Sequence, residues 1–276
     1  MKNITVTILF FLSLNLTLSA VEFIAHRGAS DEAPENTLAA FNLAWQQDPD
    51  AIEGDFYCSK DGKIVCFHDL NLKRITGVNQ QVTDCTFEYL QTLDVGSWKG
   101  EKWKGCKIPL IQEVLATIPK GKKIVIEIKG SKDLVYKLAE ILSNSNLQPS
   151  KVTIITSKPE LILLAKKILS KDIKCLLIIG LEEKNNTLIP DSNTLIKSAK
   201  ECNADGISCN APDLLNPDYI QNVKNSGLSF HVWTIDDVDQ AKKLIRMGVN
   251  SITSNIAGKL KKELIPSCKL KASNNP

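Results

Sequence analysis

Residues 51–69 read AIEGDFYCSKDGKIVCFHD, and how this stretch must fold decides the architecture. Residues 51–56 carry the β-branched and aromatic character of a strand. A second strand-like run, 64–68, follows too soon for a crossover helix, so it cannot lie parallel to the first and must return as a hairpin. The Asp61-Gly62 pair favours a two-residue turn, which pairs Lys60 with Lys63 and therefore Asp55 with His68. Paired residues share a face of a sheet, as do residues two apart on one strand. This register sends Glu53, Asp55 and His68 to the same side.

Outward from the hairpin, short β-branched runs alternate with segments of helical period. Strands are expected at 21–26, 51–56, 123–129, 151–156, 173–179, 204–208, 229–234 and 250–253. Helices are expected at 36–47, 110–118, 133–143, 159–170, 193–202, 217–226 and 238–247, several opening on a capping residue or early proline, as at Asn216-Pro217. Eight strands alternating with helices fit an α/β fold of the TIM-type (β/α)8 class, as one barrel domain over 21–265. A doubly wound open sheet fits less well, and no G-x-G-x-x-G follows the first strand. Residues 70–108 lose periodicity but carry Trp98, Trp103 and an apolar cluster at Leu90, Leu93 and Val95. They read as a small insert after the second-strand hairpin, capping the barrel mouth.

Residues 1–20 have the pattern of a cleaved signal peptide: Lys2, the apolar run 8–12, then Ser19-Ala20. Ser13, Asn15 and Thr17 interrupt the run too early for a membrane span. A secreted or periplasmic location follows, and residues 266–276 form a polar tail. With 34 Lys and Arg against 31 Asp and Glu, the chain lacks the basic excess of a nucleic-acid binder. Its eight cysteines form no C-x-x-C pair, which argues against a zinc or thioredoxin-like site. Export permits disulfides, and Cys85 with Cys106, both in the insert, are the expected bridge.

Barrel enzymes react at the C-terminal ends of their strands. Here the first strand ends in His26-Arg27-Gly28, the second carries Glu53 and Asp55, the hairpin ends in His68-Asp69, and the third ends in Glu127-Ile128-Lys129. The chain has three histidines, and two occupy such ends, whereas His231 lies inside a strand and reads as structural. Glu53, Asp55 and Glu127 would converge at the mouth, where a divalent cation relieves their repulsion; all-oxygen ligands favour Ca²⁺ or Mg²⁺. Alternatively, one or two of them simply pair with Arg27 and Lys129. Phosphodiester cleavage needs a base, an acid and positive charge around phosphorus. His26 and His68 can supply the first two, and the cation, Arg27 and Lys129 the third.

On these residues the chain resembles the glycerophosphodiester phosphodiesterase family. The matching pieces run in order: Ala25-His26-Arg27-Gly28, Pro34-Glu35-Asn36-Thr37, Glu53-Gly54-Asp55, Asp61-Gly62, Phe67-His68-Asp69, Asp94-Val95-Gly96-Ser97, Ile108-Pro109-Leu110, Glu127-Ile128-Lys129 and Val232-Trp233-Thr234. The resemblance implies a TIM barrel with a small insert and a bound Ca²⁺ or Mg²⁺. It also implies hydrolysis of small glycerophosphodiesters to an alcohol and glycerol 3-phosphate. By motif, His26 and His68 are acid and base, Glu53, Asp55 and Glu127 metal ligands, and Arg27, Lys129 and Trp233 substrate contacts. Glu35 and Asn36 would order the loop under the first strand end, Asn36 also capping the helix. The family usually closes its last strand on Thr-Asp followed by a proline, whereas this chain reads Thr253-Ser254-Asn255-Ile256. Two other readings remain: a lipid phosphodiesterase forming a cyclic phosphate, and a non-catalytic phosphate-binding barrel.

Overall fold

In the computed structural model, which describes residues 21–265, eight parallel strands close on themselves. They are β1 (Glu22–Ala25), β2 (Ala51–Cys58), β3 (Lys123–Ile128), β4 (Val152–Thr156), β5 (Lys174–Ile178), β6 (Gly206–Asn210), β7 (Ser229–Trp233) and β8 (Ser251–Ser254). β1 pairs with both β8 and β2, so the sheet is a closed barrel. Each strand leads to a helix outside it: α1 (Leu38–Gln46), α2 (Ile111–Ala116), α3 (Lys132–Ser143), α4 (Pro159–Ile168), α5 (Ser192–Glu201), α6 (Pro217–Asn225), α7 (Val238–Met247) and α8 (Ala257–Leu264). The expected signal peptide and polar tail lie outside the described residues. Among those described, no helix is long and apolar enough to cross a membrane.

Strand alternation separates two environments. Outward side chains such as Phe23, Ile52, Ile124, Ile126, Ile154 and Phe230 are buried against helix residues including Phe41, Leu134, Ile162 and Ile220. Each such burial contributes roughly 1.5–3 kcal/mol, which is how the helices are held to the barrel. Inward side chains form a smaller plug of Ile24, Ala51, Val125, Ile155 and Leu176. His231 joins the interior, its Nδ1 2.7 Å from Ser251 Oγ and its Nε2 2.8 Å from Ser229 Oγ. Burial, with a smaller effect of Lys123, pushes its pKa down to about 4, so it is a neutral structural imidazole.

Three local expectations are corrected, and a fourth difference is an omission. The hairpin register is Phe56↔Cys66, Tyr57↔Val65 and Cys58↔Ile64, one residue away from the two-residue turn. The Ser59 hydroxyl accepts from Lys63 N and donates to Asp61, which closes a wider loop with Gly62 left-handed at φ 77°. Phe67, not His68, therefore opposes Asp55, its N–H donating to the Asp55 carbonyl. Second, Cys85 and Cys106 are free, as are the other described cysteines; both pack into the apolar cluster of the insert. Third, Thr37 rather than Asn36 caps α1, accepting from Ala40 N–H at 3.2 Å. Fourth, two elements lacked a visible pattern: the short arm Glu182–Lys184 with Thr187–Ile189, and lysine-rich α8.

The insert is ordered around its own apolar cluster, in which Leu72, Val82, Leu90 and Ile108 pack on Tyr57, Val65 and Phe67 of the hairpin. It contains short helices at Lys73–Thr76 and Phe87–Thr92. Polar ties also bind it to the segment after β1: Lys99 Nζ donates to the Ser30 carbonyl at 2.7 Å, and Arg74 pairs with Glu35.

Candidate active site

The chain turns abruptly where β1 meets the mouth. Arg27 and Gly28 both have positive φ, and a Cβ on Gly28 would stand 2.6 Å from the backbone of Ala40 in α1. That tight approach points the His26-Arg27 pair at β2. Arg27 N–H donates to Glu53 Oε2 at 2.9 Å, and its guanidinium donates to Glu35 at 2.9 Å while lying 3.3 Å from Asp55. Asn36, at φ 58°, donates from Nδ2 to Asp55 Oδ2 at 2.8 Å and accepts from Asp55 N–H.

Glu53 and Asp55 share the inward face of β2, and Glu127 is the rung beside Asp55 on β3. One carboxylate oxygen from each lies within 4.8 Å of the others. Lys129 Nζ sits 3.1 Å from Asp55 and 2.7 Å from Glu127. The expected pairing with Arg27 and Lys129 thus exists, yet two cations face three acids.

The electrostatics show the shortfall. Burial raises Asp55, but Lys129 and Arg27 outweigh it and hold the carboxyl at about 2. Burial and the charge of Asp55 push Glu127 up to about 7, and burial with Asp55 and Glu127 pushes Glu53 well above the carboxylate range. Glu53 Oε1 is buried with no hydrogen-bond partner. An orphaned carboxylate oxygen costs free energy unless something positive meets it. The donor set therefore fits a hard divalent cation held by oxygen ligands.

Both imidazoles lie near this group. Asp55 lies within electrostatic reach of both His26 and His68. His68 arrives by the bend that follows Cys66, not as a rung of the ladder, and its Nδ1 meets Asp69 Oδ1 at 2.6 Å. Arg74 from the insert holds the other Asp69 oxygen and also Glu35. Burial and Arg27 lower the pKa of His26, whose Nδ1 meets Asn255 Oδ1 at 2.8 Å. Trp233 ends β7 on the inward face, with a buried, unpartnered Nε1–H, apart from the hydrogen bonds of the acidic cluster.

The mouth thus assembles His26, Arg27, Glu53, Asp55, His68, Glu127 and Lys129. Sequence reasoning missed Arg74, which holds Asp69 and Glu35, and Asn255, which meets His26. Arg74 lies in the aperiodic insert, and Asn255 follows the position where the family's last strand carries its acid, occupied here by Ser254, so neither carried a motif signal.

Residues 26–259 match the glycerophosphoryl diester phosphodiesterase family. The chain is 31% identical over 239 residues to the glycerophosphodiester phosphodiesterase of Caldanaerobacter subterraneus subsp. tengcongensis, covering 84% of this chain and 93% of that protein. It is 38% identical over 130 residues to human lysophospholipase D GDPD1, covering 45% of this chain and 41% of that one. Among solved structures, it resembles the Oleispira antarctica phosphodiesterase in complex with sn-glycerol-3-phosphate, with a TM-score of 0.77, 26% identity, and coverage of 90% and 97% of the two chains.

Proposed function

The chain belongs to the glycerophosphoryl diester phosphodiesterase family and is a glycerophosphodiester phosphodiesterase, and we propose that it works by acid and base transfer between His26 and His68 across a metal-carrying acidic cluster. The observation that carries this reading is the buried, unpartnered Oε1 of Glu53 beside Asp55 and Glu127. Glu53, Asp55 and Glu127 would hold Ca²⁺ or Mg²⁺, which when bound supplies positive charge to the phosphate oxygens.

His26, kept neutral by burial and Arg27, takes the proton of the attacking hydroxyl at Nε2. That hydroxyl is water, or a substrate hydroxyl that first closes a cyclic phosphate for water to open. The new bond forms from this oxygen to phosphorus, and the bond to the departing alkoxide breaks. His68 delivers a proton to that alkoxide, with the Asp69 carboxylate against its Nδ1 to orient the ring. Arg27 and Lys129 face the charge developing on phosphorus, Arg27 with a fork and Lys129 as a point charge. Trp233, with its free Nε1–H, lines the glycerol side. The products are an alcohol and glycerol 3-phosphate.

The experiment is a screen of glycerophosphodiesters followed by phosphorus NMR, with EDTA treatment and metal add-back. Release of glycerol 3-phosphate from glycerophosphocholine, lost with EDTA and restored by Ca²⁺ or Mg²⁺, is expected. Similarity to the human lysophospholipase D and the exposure of Leu70 and Trp98 in the insert favour a second substrate, lysophosphatidylcholine. Cleavage of that lipid alone would make the second reading the right one. Export belongs to the same proposal, and an N-terminus beginning near Val21 in the protein recovered outside the cytoplasm is the result that supports it.

A further inference from the structure

Asn255 and Asp236, which the mechanism above does not use, stand directly behind His26. The Asn255 Oδ1 that meets His26 Nδ1 at 2.8 Å also lies 2.7 Å from the Ser30 hydroxyl, whose single proton it shares with the His26 carbonyl. On its other side Asn255 Nδ2 donates to Asp236 Oδ2 at 2.6 Å. Asp236 Oδ1 accepts both the Asn255 N–H at 2.8 Å and the Ser254 hydroxyl at 2.9 Å. The chain of contacts therefore joins the segments following β7, β8 and β1.

The chemistry of these groups admits one assignment. A carboxylate only accepts, so Asp236 obliges the Asn255 amide to turn its NH₂ inward and its oxygen toward His26. The flipped amide would set two oxygens 2.6 Å apart, without a proton between them. An amide oxygen also only accepts, so His26 Nδ1 must carry the hydrogen. The lone pair is then left on Nε2, which has no hydrogen-bond partner among the described residues and is not an enclosed atom.

We propose that Asn255 and Asp236 are positioning residues: Asp236 fixes the Asn255 amide, and that amide locks His26 in the Nδ1–H tautomer with Nε2 presented as the base. The inference rests on the reading of His26 as that base. The lowered pKa of His26, caused by burial and Arg27, is consistent with this, since a tautomer matters only in a neutral ring. His68 differs, since its Nδ1 meets a carboxylate directly.

The test is ¹⁵N NMR of histidine-labelled, metal-free protein above neutral pH, where only three imidazoles need assignment. The wild type should show His26 as the Nδ1–H tautomer. Asn255→Leu removes the acceptor, and Asp236→Asn removes the group that orients it. Each should populate the Nε2–H form and lower kcat of the metal-loaded enzyme at least about tenfold with KM little changed, within the range a general base contributes. The reciprocal exchange, N255D with D236N, puts an acceptor back on Nδ1 and an amide behind it. It should restore the tautomer and most of kcat, which a loss of folding would not allow. An Nε2–H wild type, or single variants that leave the tautomer unchanged, would overturn the relay. A tautomer that moves while kcat stays at the wild-type value would instead remove His26 from the chemistry.

Discussion

At the scale of single residues the site is a problem in charge balance. Asp55 stays ionised because Lys129 and Arg27 outweigh its burial, while burial and Asp55 push Glu127 up to about 7. A cation can bind three carboxylates only when Glu53, raised well above the usual range, and Glu127, at about 7, have both lost their protons, so binding releases protons, that of Glu127 only below about pH 7, and affinity falls as pH drops. Calorimetry in buffers of different ionisation enthalpy should count the Glu127 proton at pH 6 and much less of it at pH 8. A constant count would remove Glu127 from the ligand set. Asn36 bonds Asp55 from both ends of its amide. Asn36→Ala should therefore weaken metal binding about 10–100-fold, the range for partners that orient ligands. Titration of the EDTA-stripped variant measures it.

At the scale of elements the site depends on how strands end. Gly28 has φ 82° and no space for a Cβ, since the neighbouring atoms are the Ala40 backbone. Gly28→Ala must move the segment that carries His26 and Arg27, and we expect a loss of more than about 1 kcal/mol with a lower kcat. Urea midpoints and turnover measured together check this. The strand ends were also where the sequence was most legible. Short apolar runs placed all eight strands, and His26, Glu53, Asp55, His68, Glu127 and Lys129 were read from their places in or after such runs, whereas Arg74, Asn255 and Asp236 were not. The hairpin shows the limit, because Asp-Gly signals a turn without specifying its length, and the Ser59 side chain added the extra residue. His68 still reaches the cluster because the ladder stops at Cys66 and a bend replaces the pleat. The insert was legible as an irregular stretch with an apolar cluster at Leu90, Leu93 and Val95, but not in detail, since its order also comes from side chains of the hairpin and from Arg74 and Lys99, none of them periodic.

At the scale of the whole molecule, two of the titrating groups in the barrel interior affect stability in opposite directions. Burial depresses His231 to about 4, below its unfolded value of 6.5. Its contribution, roughly 3 kcal/mol, is therefore present above the unfolded pKa and lost as pH falls through the folded one. His231→Gln should flatten the loss of stability between about pH 6.5 and 4. Glu127 is raised instead, to about 7, by burial and Asp55. A group of that kind contributes stability that is present below the unfolded pKa and disappears as pH rises through the folded value. The EDTA-stripped protein should accordingly lose thermal stability between pH 6 and 8, as the acid cluster acquires charge it cannot neutralise. A bound cation supplies that neutralisation, so the gain in Tm on adding saturating Ca²⁺ or Mg²⁺ should be larger at pH 8 than at pH 6. Differential scanning calorimetry with and without metal at the two pH values measures the difference. A gain independent of pH would mean that the ion binds somewhere other than Glu53, Asp55 and Glu127.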